Sequence, residues 1–132
     1  MPVPNAFEYA IVRVVPRVER GECINAGVLL HCAEHDYLGA RIELDEARLL
    51  ALAPDVDLES VRRHLAAIPR ICAGGRDAGP IGQLPRNERF SWLVATRSTM
   101  IQTSAVHVGL CDAPDVVLER LLDKLVRTPR PR

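Results

Sequence analysis

Apolar residues alternate along FEYAIVRVVP, with Phe7, Tyr9 and Ile11 on one side and Ala10, Val12 and Val14 on the other. Both sides are largely apolar, which predicts a well-buried β-strand ending at Pro16. VERGE reads as a turn. CINAGVLLHC follows as a second strand. Strict alternation puts Ile24, Ala26, Val28, Leu30 and Cys32 on its core face, and Cys23, Asn25, Gly27, Leu29 and His31 on the other. After the turn AEHD, YLGARIEL predicts a third strand with Leu38, Ala40, Ile42 and Leu44 inward. Three strands joined by short turns make an antiparallel meander.

The period then changes. DEARLLALAP predicts a short helix capped by Asp45 and stopped by Pro54. DLESVRRHLAAIPRICAGG predicts a longer one capped by Asp57, with Leu58, Val61, Leu65, Ile68 and Cys72 along one stripe. Pro69 should kink or split it, and Gly74 and Gly75 should end it. GGRDAGPIGQLPRNER reads as a loop, long enough in so small a domain to suggest a functional segment. FSWLVAT and TMIQTSAVHVGL read as two more strands. Pro114 and Asp115 open a last helix, DVVLERLLDKLVR, striped by Val117, Leu118, Leu121, Leu122 and Leu125.

The expected order is β-β-β-α-α-β-β-α. It describes a single α+β domain over 1–132, with a mostly antiparallel sheet, helices packed on one face and a basic tail, 128–132, that frays. No internal repeat is apparent. Apolar residues are 48% and charged residues 26% of the 132, an ordinary globular composition. Aromatics are only 4%, so Val, Leu, Ile and Ala must build the core.

Lys plus Arg and Asp plus Glu are 17 each, so the net charge is zero. General nucleic-acid binding, which needs a basic excess or stripe, is therefore disfavoured. The N-terminus lacks the basic and apolar regions of a secretory signal. No apolar run approaches the ~20 residues that span a membrane. A cytoplasmic protein with Cys23, Cys32, Cys72 and Cys111 reduced is expected.

Each chemical motif is weak. His31, Cys32 and His35 lie close in sequence, as do His107 and Cys111, but there is no Cys-x-x-Cys pair and no metal site is expected. Ser98, Ser104 and Cys23 could neighbour His107 or His31, yet no nucleophile elbow surrounds them. GGRDAGPIG lacks the Gly-Lys-Ser/Thr ending of a phosphate loop. No cofactor is expected. The densest polar constellation runs through RFSWLVATRSTMIQTSAVHVG, holding Arg89, Trp92, Arg97, Ser98, Thr99, Gln102, Thr103, Ser104 and His107. A turn at Arg97, Ser98 and Thr99 could present a guanidinium and hydroxyls to an anion, or could be a solvated hairpin tip.

RGECINAGVLL, RFSWLVATRSTMIQTSAVHVGLC and LERLLDKLV, in that order, resemble the bacterial family of uncharacterised proteins called domain-of-unknown-function thirty thirty-seven. The resemblance runs roughly from Tyr9 to Val126. Its motif positions are Arg20, Gly21, Glu22, Asn25 and Gly27 in the first element, and Arg97, Ser98, Gln102, Ser104, His107 and Gly109 in the second. It implies no defined activity and no catalytic residues. Members are often encoded beside a HipA-like kinase of toxin–antitoxin systems, which implies a small accessory protein of a two-gene module.

The favoured reading is a non-enzymatic interaction module with another protein as partner. Its expected ligand or partner surface is Glu22, Asn25, Gly27, Arg97, Ser98, Gln102, Ser104 and His107. Asn25 is expected either to meet Arg97, Ser98 or His107, or to satisfy a backbone group at an edge or bulge. One alternative is a small enzyme or binder for a nucleotide or phosphate-bearing ligand. It would use Arg97 as anion clamp, His107 as acid or base and Glu22 as orienting group. The other is a nucleic-acid binder using Arg62, Arg63, Arg70, Arg76, Arg86 and Arg89. The sequence leaves the oligomeric state open.

Overall fold

The computed structural model describes residues 5–95, 99–111 and 113–128. Its centre is a five-stranded antiparallel sheet: β1 (Asn5–Val14), β2 (Ile24–Cys32), β3 (Tyr37–Ile42), β4 (Ile101–Thr103) and β5 (His107–Cys111). The strand order is β3-β2-β1-β4, and β5 also pairs with β1. The meander over β1, β2 and β3 is as the alternation predicts. β4 and β5 run along the far edge of β1, pairing with its Val12–Val14 and Asn5–Tyr9 ends respectively.

Helices α1 (Glu46–Leu52) and α2 (Leu58–Ala73) start where their caps stand. The Asp45 carboxylate accepts from the Arg48 amide and the Asp57 carboxylate from the Ser60 amide, both at 3.1 Å. Each satisfies one of the four unpaired N–H groups of a first turn. Pro69 lies inside α2 without splitting it, and Gly74, at φ 74°, ends it. α5 (Pro114–Leu125) closes the fold.

Two segments differ from the sequence reading. The stretch read as a loop contains a 3-10 turn (Arg76–Ala78), the single-turn helix α3 (Gly79–Gly82) and the start of α4 (Arg86–Leu93). FSWLVAT is therefore helical in its first half. Phe90 and Leu93, three apart, are the buried pair, while Trp92 is 40% exposed. The fourth and fifth strands both come from TMIQTSAVHVGL, so the overall order of strands and helices is kept.

The sheet is covered on both faces. Val12, Val14, Ile24, Ala26 and Leu29 meet Leu49 of α1, Val61, Leu65 and Ile68 of α2, and Phe90 and Leu93 of α4. On the opposite face Phe7, Val28, Leu30 and Cys32 meet Leu118, Leu122 and Val126 of the α5 segment. Helices on one face thus describes α1, α2 and α4 but not α5. Each fully buried Leu or Val contributes about 1.5–3 kcal/mol, so neither face is a minor one.

A β-bulge distributes β2 between these two cores. Val12 pairs with Gly27 and Arg13 with Asn25, leaving Ala26 as the extra residue. Ile24 and Ala26 therefore join the α2 side, while Val28, Leu30 and Cys32 join the α5 side. The single core face expected for all five does not exist. Asn25 lies on the same side as Val28 and Leu30, not opposite them.

Candidate functional site

Asn25 stands beside the bulged Ala26, and its amide nitrogen donates to the Leu125 carbonyl at 3.0 Å. That carbonyl belongs to the last turn of α5 and has no intrahelical donor, so the amide ties the helix end to the sheet. Gly27 sits where β3 crosses closely. A Cβ there would lie 2.6 Å from the Arg41 carbonyl oxygen and from the Ile42 side chain. Its space is filled by β3. Glu22 is exposed and hydrogen-bonded to Arg20, just outside the strand.

The second motif borders β1 from the other side. Arg97 and Ser98 lie outside the described residues. Gln102, in β4, is half-buried and donates from its amide nitrogen to the Thr99 carbonyl at 2.8 Å. Ser104 is buried at an irregularity where Ala10 and Ile11 of β1 face Ser104, Ala105 and Val106. Its amide donates to the Ile11 carbonyl, and its hydroxyl accepts from the Ile11 amide, both at 2.8 Å. The side chain thus replaces a missing rung of the ladder. His107 is exposed and stacks on Tyr9, its cross-strand neighbour, with centroids 5.2 Å apart.

The structure brings Asn25 and Gln102 to one place: both are cross-strand partners of Arg13, in β2 and β4 respectively. Arg13 was not singled out from the sequence. Its signal was a lone charge between Val12 and Val14 in an otherwise apolar strand. Glu22 and His107 are not brought together. His107 is level with Tyr9, whereas Glu22 lies beyond Ile24, which is level with Val14. Five residues of strand separate those levels by about 16 Å. An acid–base centre made from Glu22 and His107 is therefore not assembled.

Two other places hold chemistry. An apolar cavity of about 220 Å³ lies between α2, α4 and β4, with Val12, Leu29, Ile68, Ile71, Trp92 and Leu93 among its walls. Among its described lining residues His64 is the titratable one, and its Nδ1 is 2.7 Å from the Ser60 carbonyl oxygen. That volume is below the roughly 300–1,000 Å³ typical of small-molecule sites.

At the other end of α4, buried His31 stacks on Phe90 with centroids 4.9 Å apart. Its Nε2 accepts from Arg86 Nε at 3.4 Å, and its Nδ1 is 3.6 Å from a Glu8 oxygen. A neutral imidazole with its proton on Nδ1 suits both neighbours. Burial lowers the His31 pKa, Arg86 adds to this and Glu8 opposes it.

Several arginines considered for nucleic acid are already engaged. Arg62 forms a two-pronged bond with Glu46, and Arg86 pairs with Asp36. Arg89 donates to the Ile71, Cys72 and Leu84 carbonyls, capping the end of α2. Among the described residues no three of His, Cys, Asp or Glu converge as metal ligands. Burial pushes the Cys72 thiol up to about 12, which makes it a poor nucleophile. No helix among the described residues is long and apolar enough to cross a membrane.

A family model described as "Protein of unknown function (DUF3037)" matches residues 9–126. No curated protein matches the chain, and no solved structure does.

Proposed function

The chain belongs to the DUF3037 family, and we propose that it is a non-enzymatic interaction module that takes up an extended segment of a partner protein along the outer edge of β5. The observation that carries this reading is the state of that edge. β5 pairs with β1 on one side and with no strand on the other among the described residues. Val108 and Leu110 project from it, 71% and 68% exposed. An edge strand normally protects itself with charge, proline or a covering element. This one presents alternate apolar side chains, as strand addition requires: backbone bonds supply affinity and alternate side chains supply selectivity. The separation of Glu22 from His107 favours this over the enzymatic alternative.

The HipA-like kinase implied by the family resemblance is the first partner to test. Purified protein and kinase would be titrated by calorimetry, and the titration repeated with a Val108→Lys/Leu110→Lys variant. Each of these anchors should contribute more than about 1 kcal/mol, so affinity should fall about tenfold or more with little change in melting. Equal affinity for the variant, or no complex with the unmodified protein, would remove the reading.

A further inference from the structure

The cavity between α2, α4 and β4 is not accounted for by packing. Folded interiors hold few gaps larger than a water molecule. This one has about 220 Å³, and its floor is the core itself: Val12 and Leu29 from the sheet, Ile68 and Ile71 from α2 and Leu93 from α4. No Asp, Glu, Lys or Arg is among its described lining residues. An apolar cavity of about 150 Å³ is enough to take up benzene. The space therefore suits one ring or two fused rings, and it is too small for a nucleotide.

The polar lining lies toward solvent. His64 is exposed, one helical turn before Ile68 on the same face of α2. Its Nδ1 is within hydrogen-bond reach of the Ser60 carbonyl oxygen. A carbonyl only accepts, so the proton of the uncharged ring is on Nδ1, and Nε2 is the ring's acceptor. No group among the described residues bonds to Nε2. We infer that the cavity is a binding site for a small uncharged aromatic molecule with one N–H or O–H donor, such as indole or a phenol. Its ring lies among the aliphatic side chains and its donor meets His64 Nε2. A charged ligand would lose its hydration against aliphatic walls that offer no opposite charge. A flat ring also gains a contact with Trp92, the aromatic part of the wall, that an aliphatic chain of equal volume lacks.

The cavity lining includes neither Val108 nor Leu110. Failure of the β5 reading therefore leaves this one standing, and the converse holds as well. Indole and a tryptophan side chain carry the same chemistry. The backbone that a side chain brings with it tells them apart, and N-acetyltryptophanamide carries that backbone.

Carbon–proton NMR can follow the methyl groups of Leu29, Ile68 and Ile71 during titration with indole, with Val28 and Leu30 of the opposite core as internal controls. Saturable shifts are expected at the first three alone, with a midpoint below about 1 mM. N-methylindole keeps the rings and loses the donor, and should bind about threefold or more weakly. That difference should disappear in His64→Phe, which keeps a ring at this position and removes the acceptor. Ala67→Phe, which fills the cavity from α2, should abolish the shifts. No saturation by indole, equal shifts in the two cores, or equal midpoints for indole and N-methylindole would overturn the inference. So would a preference that survives His64→Phe, shifts that persist in Ala67→Phe, or tighter binding of N-acetyltryptophanamide than of indole. Should Ala67→Phe fail to fold, the two indoles on the unmodified protein still decide.

Discussion

His31 shows what a single buried side chain commits the fold to. Its neutral ring accepts from Arg86 and lies against Phe90, and burial holds its pKa below the ordinary 6.5. The unfolded chain therefore binds the proton more tightly than the folded one. The contribution of neutral His31 is complete above about pH 6.5 and is lost as pH falls from there toward the depressed folded value. Glu8, Arg86 and Asp36 face the same cluster, and Glu8 softens the effect by favouring the charged ring. Thermal melts from about pH 7 to about pH 5 should show a steeper loss of Tm for the native protein than for His31→Gln. Parallel slopes would mean that the ring is not desolvated enough to matter.

The elements show where the sequence was readable and where it was not. Asp45 and Asp57 were legible as caps because capping chemistry is local: a carboxylate three residues before an amide it can reach. The first strand was legible because it alternates. The bulge at Ala26 was not, because β2 is apolar on both sides and a one-residue slip leaves no polar residue stranded in the wrong core. α4 was misread because Phe90, Trp92 and Val94 also alternate. The discriminating signal was the three-residue spacing of Phe90 and Leu93 after Pro85. In the candidate site, Asn25 and Gln102 were found from their motifs but Arg13, the residue between them, was not, since strand order was needed to see it. Ser104 belongs to this scale too. Its hydroxyl stands in for a strand carbonyl, so Ser104→Ala leaves the Ile11 amide unpaired beneath the irregularity. A loss of about 1–3 kcal/mol in urea unfolding is expected, with faster amide exchange at Ile11. A change within error would place a water in the hydroxyl's stead.

At the scale of the whole molecule, a thin sheet with a core on each side depends on α5 as much as on α1, α2 and α4, because among the described residues it is the α5 segment that covers Phe7, Val28, Leu30 and Cys32. The coverage stops short of β5, where Val108 and Leu110 remain open. Net charge is zero and the pI is about 6.9, so near neutral pH no long-range repulsion keeps two such edges apart. Two copies of β5 laid antiparallel about Gly109 would set each Val108 against the other's Leu110, an isologous arrangement. Without its partner the protein should therefore associate with itself through the edge that the partner would occupy. Sedimentation near pH 7 should give an apparent mass that rises with concentration. The rise should weaken at about pH 9, where the chain is net negative, and disappear in Val108→Lys/Leu110→Lys at either pH. If the variant associates as strongly as the native protein, the exposed edge is not what drives association, and β5 loses its standing as the most adhesive surface of the fold.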